Sequence, residues 1–399
     1  MRKIHVKNTV RYYLLLIFFL AALFFSNDFG LADVQKTAIV VAVGIDREED
    51  DFIVSAQIAV PQSSKQEKST QSVQIVSRGQ TVGEALEAIN AKTGWYPKLI
   101  FCDLIILGEN AKTADVFDGL DFFLRNEYFS DDCQIAAYDG KATTLLNTSA
   151  LIDPSSSSAM KKVLSAHAER SGSVMSNTLR EFSIGYFSES NSGFLPVLKI
   201  EEQQENESAQ PTASTDSSSE SKSSNEKNTD KPVFSAQETA LFVGGRWVET
   251  LTAAETFALS SVLSKLRLAS YTVNGEKNSC VLNVRRNDPK VKLETSQGDT
   301  LTLQVNVTMT AGILDYSQSQ PIDKIADAGD VPKAYFALAE KKLASEIERT
   351  YQKCQAVNCD VFGVRERLVK YKKRRLHRHQ NTAFQNTRIQ VNVRFRNVR

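Results

Sequence analysis

TAIVVAVGID (Thr37–Asp46) and DFIVSAQIAV (Asp51–Val60) are the stretch on which the fold turns. The first run is apolar without interruption and rich in β-branched side chains, which is the composition of a strand covered on both faces. The second alternates, and the short polar link between them leaves room only for a turn, so the two read as a hairpin. Beyond the hairpin, Val73–Ser77 is a third short strand. Thr81 opens a helix with Glu84 three residues on, a capping box ahead of Ala85, Leu86 and Ile89. Leu104–Leu107 predicts a strand, Glu109–Arg125 a helix, Cys133–Tyr138 a strand and Lys141–Asn147 a short helix. Strands alternating with helices predict an α/β domain over residues 33–149.

Asp153-Pro154 and the four serines after them break this pattern. Helical stretches follow at Ala159–Arg170 and Thr178–Gly185, then an extended run from Gly193 to Ile200. Glu201–Lys231 is almost entirely Glu, Gln, Ser, Asn, Thr and Lys, with no Val, Ile, Leu or aromatic residue. A segment with so little to bury cannot offset its ordering entropy, so it predicts a disordered insert over 201–232. Phe234–Leu251 predicts a hairpin turning at Gly244-Gly245, and Thr252–Leu266 a helix. Strands are expected at Ala269–Val273, Ser279–Arg286, Lys290–Thr295 and Thr300–Gly312. Helices are expected at Val331–Gln355 and near Phe362–Leu376, and a strictly alternating last strand at Arg388–Val398. The expected class is α/β in the mixed α+β sense. It comprises three domains (33–149, 150–266 and 267–399), each a mixed or antiparallel sheet with packed helices, after an N-terminal hydrophobic segment, 1–32.

The 399 residues are 42% apolar and 24% charged, a globular balance. The net charge of +1 hides an asymmetry: Arg365–Arg399 holds twelve Lys/Arg against Glu366 alone, a net +11, leaving −10 for the rest. The five cysteines (Cys102, Cys133, Cys280, Cys354, Cys359) form no CxxC and lie far from the four histidines at ligand spacing, so neither a disulfide scaffold nor a metal site is expected. No GxSxG, HExxH, P-loop or GxGxxG follows a strand, and no cofactor is expected. Cys102-Asp103 is a poor nucleophile, because a neighbouring carboxylate raises a thiol's pKa. Cys102 and Cys133 flank neighbouring strands, which leaves a buried thiol pair or a disulfide between them open.

At the N-terminus, Arg2, Lys3, Lys7 and Arg11 precede an apolar run from Tyr12 through Phe18 and Leu20 to Phe25. Positive charge before an apolar run directs the rest of the chain to the outside of a membrane. Fourteen residues span about 21 Å as a helix, against a bilayer core of about 30 Å. Two outcomes stay open. The segment can remain as a short anchor if Arg11 snorkels and the bilayer thins, or be cut after Ala32, where Gly30 and Ala32 supply the small residues. At the other end, Lys370, Lys372, Lys373, Arg374, Arg375 and Arg378 make the sharpest local feature. Nucleic acid is set aside because it conflicts with export and only Tyr371 is interleaved for stacking. An anionic membrane surface, an acidic partner face or a solvated helix face remain.

The order of these pieces resembles the Ger(x)C family, the C subunits of nutrient receptors in bacterial endospores. The resemblance rests on TAIVVAVGID with Gly44 and Asp46, on Gly79-Gln80-Thr81 with Glu84-Ala85-Leu86, and on Leu99-Ile100-Phe101 followed by LIILGENA (Leu104–Ala111). It continues through Phe122-Phe123-Leu124-Arg125, Asp139-Gly140-Lys141-Ala142, and Gln355 with Asp360-Val361-Phe362-Gly363. It implies three mixed domains without enzymatic activity, on the outer face of the cytoplasmic (inner spore) membrane. The implied partners are an A subunit and a permease-like B subunit, both integral to the membrane. Gly44, Asp46, Arg125, Gly140, Asp360 and Gly363 are read chiefly as structural, with Asp360 expected to cap the helix near Phe362. Three departures stand out. Cys102-Asp103 replaces the family's Gly-His, Phe384 stands where a Trp is usual, and Asp28 occupies the place of the lipid-bearing cysteine. A carboxylate forms no thioether, so lipidation by the family's route is not expected. The rival readings are an exported solute-binding or scaffold protein and an envelope hydrolase, for which the sequence offers no acid, base or nucleophile.

Overall fold

The computed structural model describes residues 3–26, 37–60, 71–149, 153, 155–165, 172–201, 232–275, 278–295, 300–316, 331–371 and 382–398. The class is mixed α+β, as expected. β1 (Thr37–Glu48), β2 (Asp51–Val60) and β3 (Gln71–Gly79) form an antiparallel meander. β4 (Tyr96–Lys98) and β5 (Leu104–Leu107) both run parallel to β1, β6 (Gln134–Tyr138) parallel to β5, and β7 (Ser192–Glu201) parallel to β6. β8 (Val233–Val243) and β9 (Arg246–Leu251) close the sheet antiparallel. The nine strands order as β3-β2-β1-β5-β6-β7-β8-β9, with β4 also against β1.

The unbroken apolar character of β1 follows from its place. It has strands on both edges and helices over both faces. α2 (Val82–Thr93), α3 (Phe117–Arg125) and α6 (Leu179–Phe187) bury Leu86, Phe123 and Phe182 on one face. α4 (Ala142–Asn147) and α5 (Ser156–Val163) bury Leu145 and Met160 on the other. β6 and β7 pair through Ala137↔Val197 and Tyr138↔Leu198, so the sheet runs on across the expected boundary at residue 150. The strands of the middle stretch therefore extend the first sheet.

A second sheet is built from β10 (Ala269–Asn274), β11 (Ser279–Thr295), β12 (Leu301–Tyr316) and β13 (Arg388–Asn397), in that order, with β12 and β13 parallel. α8 (Lys333–Ala356) and α9 (Val364–Tyr371) form the crossover between them. α7 (Ala253–Val262) is buried along Glu255–Val262 and joins Leu241 and Leu251 of the first sheet to Leu282, Leu303 and Leu343 of the second part in one core.

Three details depart from the sequence expectation. The helix expected over 109–125 is two pieces, a 3-10 turn at Glu109–Lys112 and α3. Asp115 breaks it, accepting from Phe117 N–H (2.9 Å) and Tyr186 O–H (2.9 Å), while Val116 N–H donates to Gly245 C=O (3.0 Å). The strands expected at 279–286 and 290–295 are one strand, β11, which carries Pro289. Among the described residues β10 pairs only as far as Val284, so β11 beyond it is an edge, where proline is tolerated. The helix expected from Ala159 starts earlier, at Ser156, and ends at Val163.

Candidate functional site

The motif residues gather in two knots. The first lies at the C-terminal ends of β1, β5 and β6. The Asp46 carboxylate is buried and accepts from Ala142 N–H (2.7 Å), Thr143 N–H (3.0 Å) and Thr143 O–H (2.8 Å), so it caps α4 from 96 residues away. Such a carboxylate meets the positive end of the helix and the orphan amides of its first turn. Gly44, one pleat back, lets α4 lie against β1: an added Cβ would stand 3.0 Å from both Ala142 Cβ and Leu146 Cδ1. Gly140 precedes α4, and its carbonyl accepts from Glu109 N–H (2.9 Å), tying the β5 exit to the β6 exit. This is the kind of position where open parallel sheets often hold ligands, but here both oxygens of Asp46 go to the backbone and hydroxyl of α4.

The second knot joins the two sheets. Asp360 is buried and caps α9, accepting from Val364 N–H (2.8 Å) and Arg365 N–H (2.7 Å), as its spacing predicts. It also accepts from Ser190 O–H (3.2 Å), while its own N–H donates to Ser192 Oγ (3.0 Å). Burial pushes the Asp360 carboxyl above its ordinary value, and the amides of Arg365 and Val364 only partly offset that. Arg365 adds bonds to Ser190 C=O (3.2 Å) and Asn358 Oδ1 (2.6 Å). The Cys359 thiol packs onto Phe242 C=O (3.4 Å). Gly363 has φ +69°, a left-handed turn that aims the chain into α9. Ser190 and Ser192 gave no sequence signal, since their partner lies 168 to 170 residues on. Nearby, Gln355 Nε2 donates to the carbonyls of Phe384 (2.8 Å), Gln385 (2.8 Å) and Thr387 (3.1 Å). Phe384 is fully buried edge-on to Tyr351.

Arg125 belongs to neither knot. It lies exposed on α3, paired with Asp121 (2.6 Å) one turn earlier. Cys102 and Cys133 are buried free thiols, donating to Leu104 C=O (3.6 Å) and Gln134 C=O (3.5 Å). Burial first, and the Cys102 thiol second, push the Cys133 thiol up. Burial also raises Cys280 to about 11 and Cys359 to about 12, so these thiols are protonated at neutral pH. Asp103 pairs with Lys161 on α5.

α1 (Lys3–Ser26) is helical throughout, and every apolar residue from Val10 to Leu20, Tyr12 and Phe18 included, is more than half exposed. Among the described residues no helix is long and apolar enough to cross a membrane. The side chain of Phe25, residue Asp28, the possible cut after Ala32, the insert at 202–231 and Lys372, Lys373, Arg374, Arg375 and Arg378 lie outside the described residues. Of the basic run only Lys370 is described, exposed on the last turn of α9 beside Tyr371.

The chain resembles known proteins along both halves. Residues 31–200 match the spore germination protein N-terminal domain, and residues 237–399 match the spore germination B3/GerAC-like C-terminal domain. The stretch between them, matched by neither, contains the polar insert. No curated protein matches the chain. The crystal structure of the GerBC protein shares its fold, with a TM-score of 0.52 at 15% identity over 90% of this chain and 97% of that one. The order of motifs in the sequence, the two matches laid end to end and the common fold agree: the chain belongs to the Ger(x)C family of spore germination proteins.

Proposed function

We propose that this chain is a non-catalytic subunit of a spore germinant receptor, held on the outer face of the inner spore membrane and required for nutrient-triggered germination. Its partners in that reading are the A and B integral-membrane subunits. The observation that carries it is the pair of family matches spanning residues 31–200 and 237–399. The two knots support the absence of a catalytic role. Asp46 and Asp360, the motif carboxylates, are taken up by helix amides and serine hydroxyls, and burial keeps Cys133, Cys280, Cys354 and Cys359 protonated. Gly44, Asp46, Gly140, Asp360 and Gly363 then build the frame that presents surfaces to the partners, and Arg125 is a surface residue of that frame.

Attachment in this reading falls to α1. Its apolar side chains from Tyr12 to Leu20 are more than half exposed, and lipid is the solvent that suits a helix apolar on every side. Tyr12 and Tyr13 beside Arg11 sit where an aromatic belt and a snorkelling arginine belong. The +11 C-terminal stretch adds attraction to anionic headgroups, about 1 kcal/mol per basic residue near the surface. The test is deletion in a strain with no redundant receptor. Spores of the deletant fail to germinate on nutrient and recover on complementation; normal nutrient germination in the deletant sinks the proposal.

A further inference from the structure

One end of the first sheet carries apolar side chains where water-facing polar ones would serve better. Trp95 is 44% exposed, Tyr96 58%, Ile100 54% and Phe101 58%. Ile100 and Phe101 are the two central residues of a tight turn closed by Cys102 N–H to Leu99 C=O (2.9 Å). Turn tips normally carry Gly, Pro, Asn, Asp or Ser, each for a backbone reason; a bare Ile-Phe tip gains nothing in water. Beside the turn lies a groove of about 420 Å³ lined by Leu86, Tyr96, Leu99, Ile100, Phe122 and Tyr128. Lys98 and Glu87 face the same groove with opposite charges, so the edge is apolar at its centre and balanced at its rim. An apolar edge of this kind marks a contact surface.

The path of the chain identifies what it contacts. Tyr96 pairs with Thr37, the first residue of β1, so the body of the protein begins at this edge. α1 ends at Ser26, eleven Cα steps before Thr37, which at full extension is about 40 Å at most. The edge therefore lies where the body begins, eleven Cα steps along the chain from the apolar helix. We infer that Trp95, Tyr96, Ile100 and Phe101 form a membrane-contact edge, seated in the headgroup–acyl boundary of the bilayer that holds α1. Tryptophan and tyrosine favour that boundary because each has an apolar body and a polar handle. Tethering supplies an effective concentration in the millimolar range, so weak individual contacts are enough. The inference rests on the reading of α1 as a membrane tether.

The chain has two tryptophans, and Trp247 is only 5% exposed. Subtracting the emission of the Trp95→Phe variant from that of the wild type therefore isolates Trp95 without touching the core. The full-length protein is reconstituted into phosphatidylcholine–phosphatidylglycerol vesicles with and without lipids brominated high on the acyl chain, and flotation of the vesicles reports α1 separately. The expected result is flotation together with an about two-fold quenching of Trp95 by the brominated lipid, as for an interfacial tryptophan. Ile100→Ser/Phe101→Ser, which alters only exposed side chains, should float equally and lose most of that quenching. Flotation with Trp95 unquenched by lipid and open to aqueous iodide overturns the edge and leaves the tether standing, as expected if a protein partner covers the patch. Failure to float overturns both.

Discussion

α1 and α7 lack an outward polar face for opposite reasons. α7 is buried from Glu255 to Val262, and its polar side chains are satisfied within the protein: Thr256 Oγ1 lies 3.0 Å from Thr239 Oγ1, Ser261 O–H donates to Ala258 C=O, and Glu255 bonds Thr252 and Lys353. α1 from Tyr12 to Phe25 has no polar side chain beyond its two tyrosine hydroxyls, and its apolar residues from Val10 to Leu20 are exposed. A helix with no polar face needs an apolar surround. α7 finds one between two sheets, where it also welds them into one core. α1 finds none among the described residues, which points it to the bilayer. A charge introduced into each helix should therefore give opposite results.

The largest effect is expected from Ala258→Asp. An unpaired carboxylate between the sheets should destabilise the body by about 4 kcal/mol or more, seen in denaturant unfolding, with the surviving folded fraction still floating with membranes. Phe18→Arg should do the reverse. Arginine at the centre of an inserted helix costs about 2.5–3.5 kcal/mol, so membrane partition should fall on the order of 100-fold while unfolding of the body is unchanged. If Phe18→Arg instead lowers the stability of the body, α1 packs on protein and the contrast fails.

A third helix extends the contrast, because one carboxylate holds it in place. Asp360→Ala removes the α9 cap and leaves Ser190 without its partner, so it should destabilise by about 2 kcal/mol. Asp360→Asn, which keeps one acceptor, should recover part of that. The smallest effect is the cap of α7. Burial pushes the Glu255 carboxyl up, but Thr252 N–H and Lys353 together outweigh it and hold it below its ordinary 4.5. A depressed carboxyl contributes stability above that ordinary value and loses it as pH falls through the folded one. Glu255→Gln should therefore cost about 1 kcal/mol near pH 7 and approach zero difference from wild type well below pH 4.5; an unchanged difference at low pH contradicts the assignment.

Much of this was legible in the sequence where the cause is local. The continuous TAIVVAVGID run announces a strand covered on both faces, and Asp360 is placed four and five residues ahead of the α9 amides that it caps. The Thr81–Glu84 pair does mark a helix start, although Glu84 reaches back to Gln80 N–H (2.7 Å). What could not be read depends on distant chain. Asp115 breaks a helical pattern because Tyr186 and Gly245 dock on that turn. The joining of β11 through Pro289 depends on where β10 happens to end. Ser190 and Ser192 become a clamp only when the C-terminal part folds back upon them. Of the six motif residues, Gly44, Asp46, Gly140, Asp360 and Gly363 serve helix capping, turns or close packing, and Arg125 lies on the surface.

The decisive experiment is flotation of the full-length wild-type protein with vesicles under alkaline carbonate, which strips proteins held by charge alone. The protein should rise with the lipid, carried by α1, and Phe18→Arg should stay in the dense fraction. Wild-type protein that stays in the dense fraction would contradict the lipid-embedded α1 on which its contrast with α7 rests.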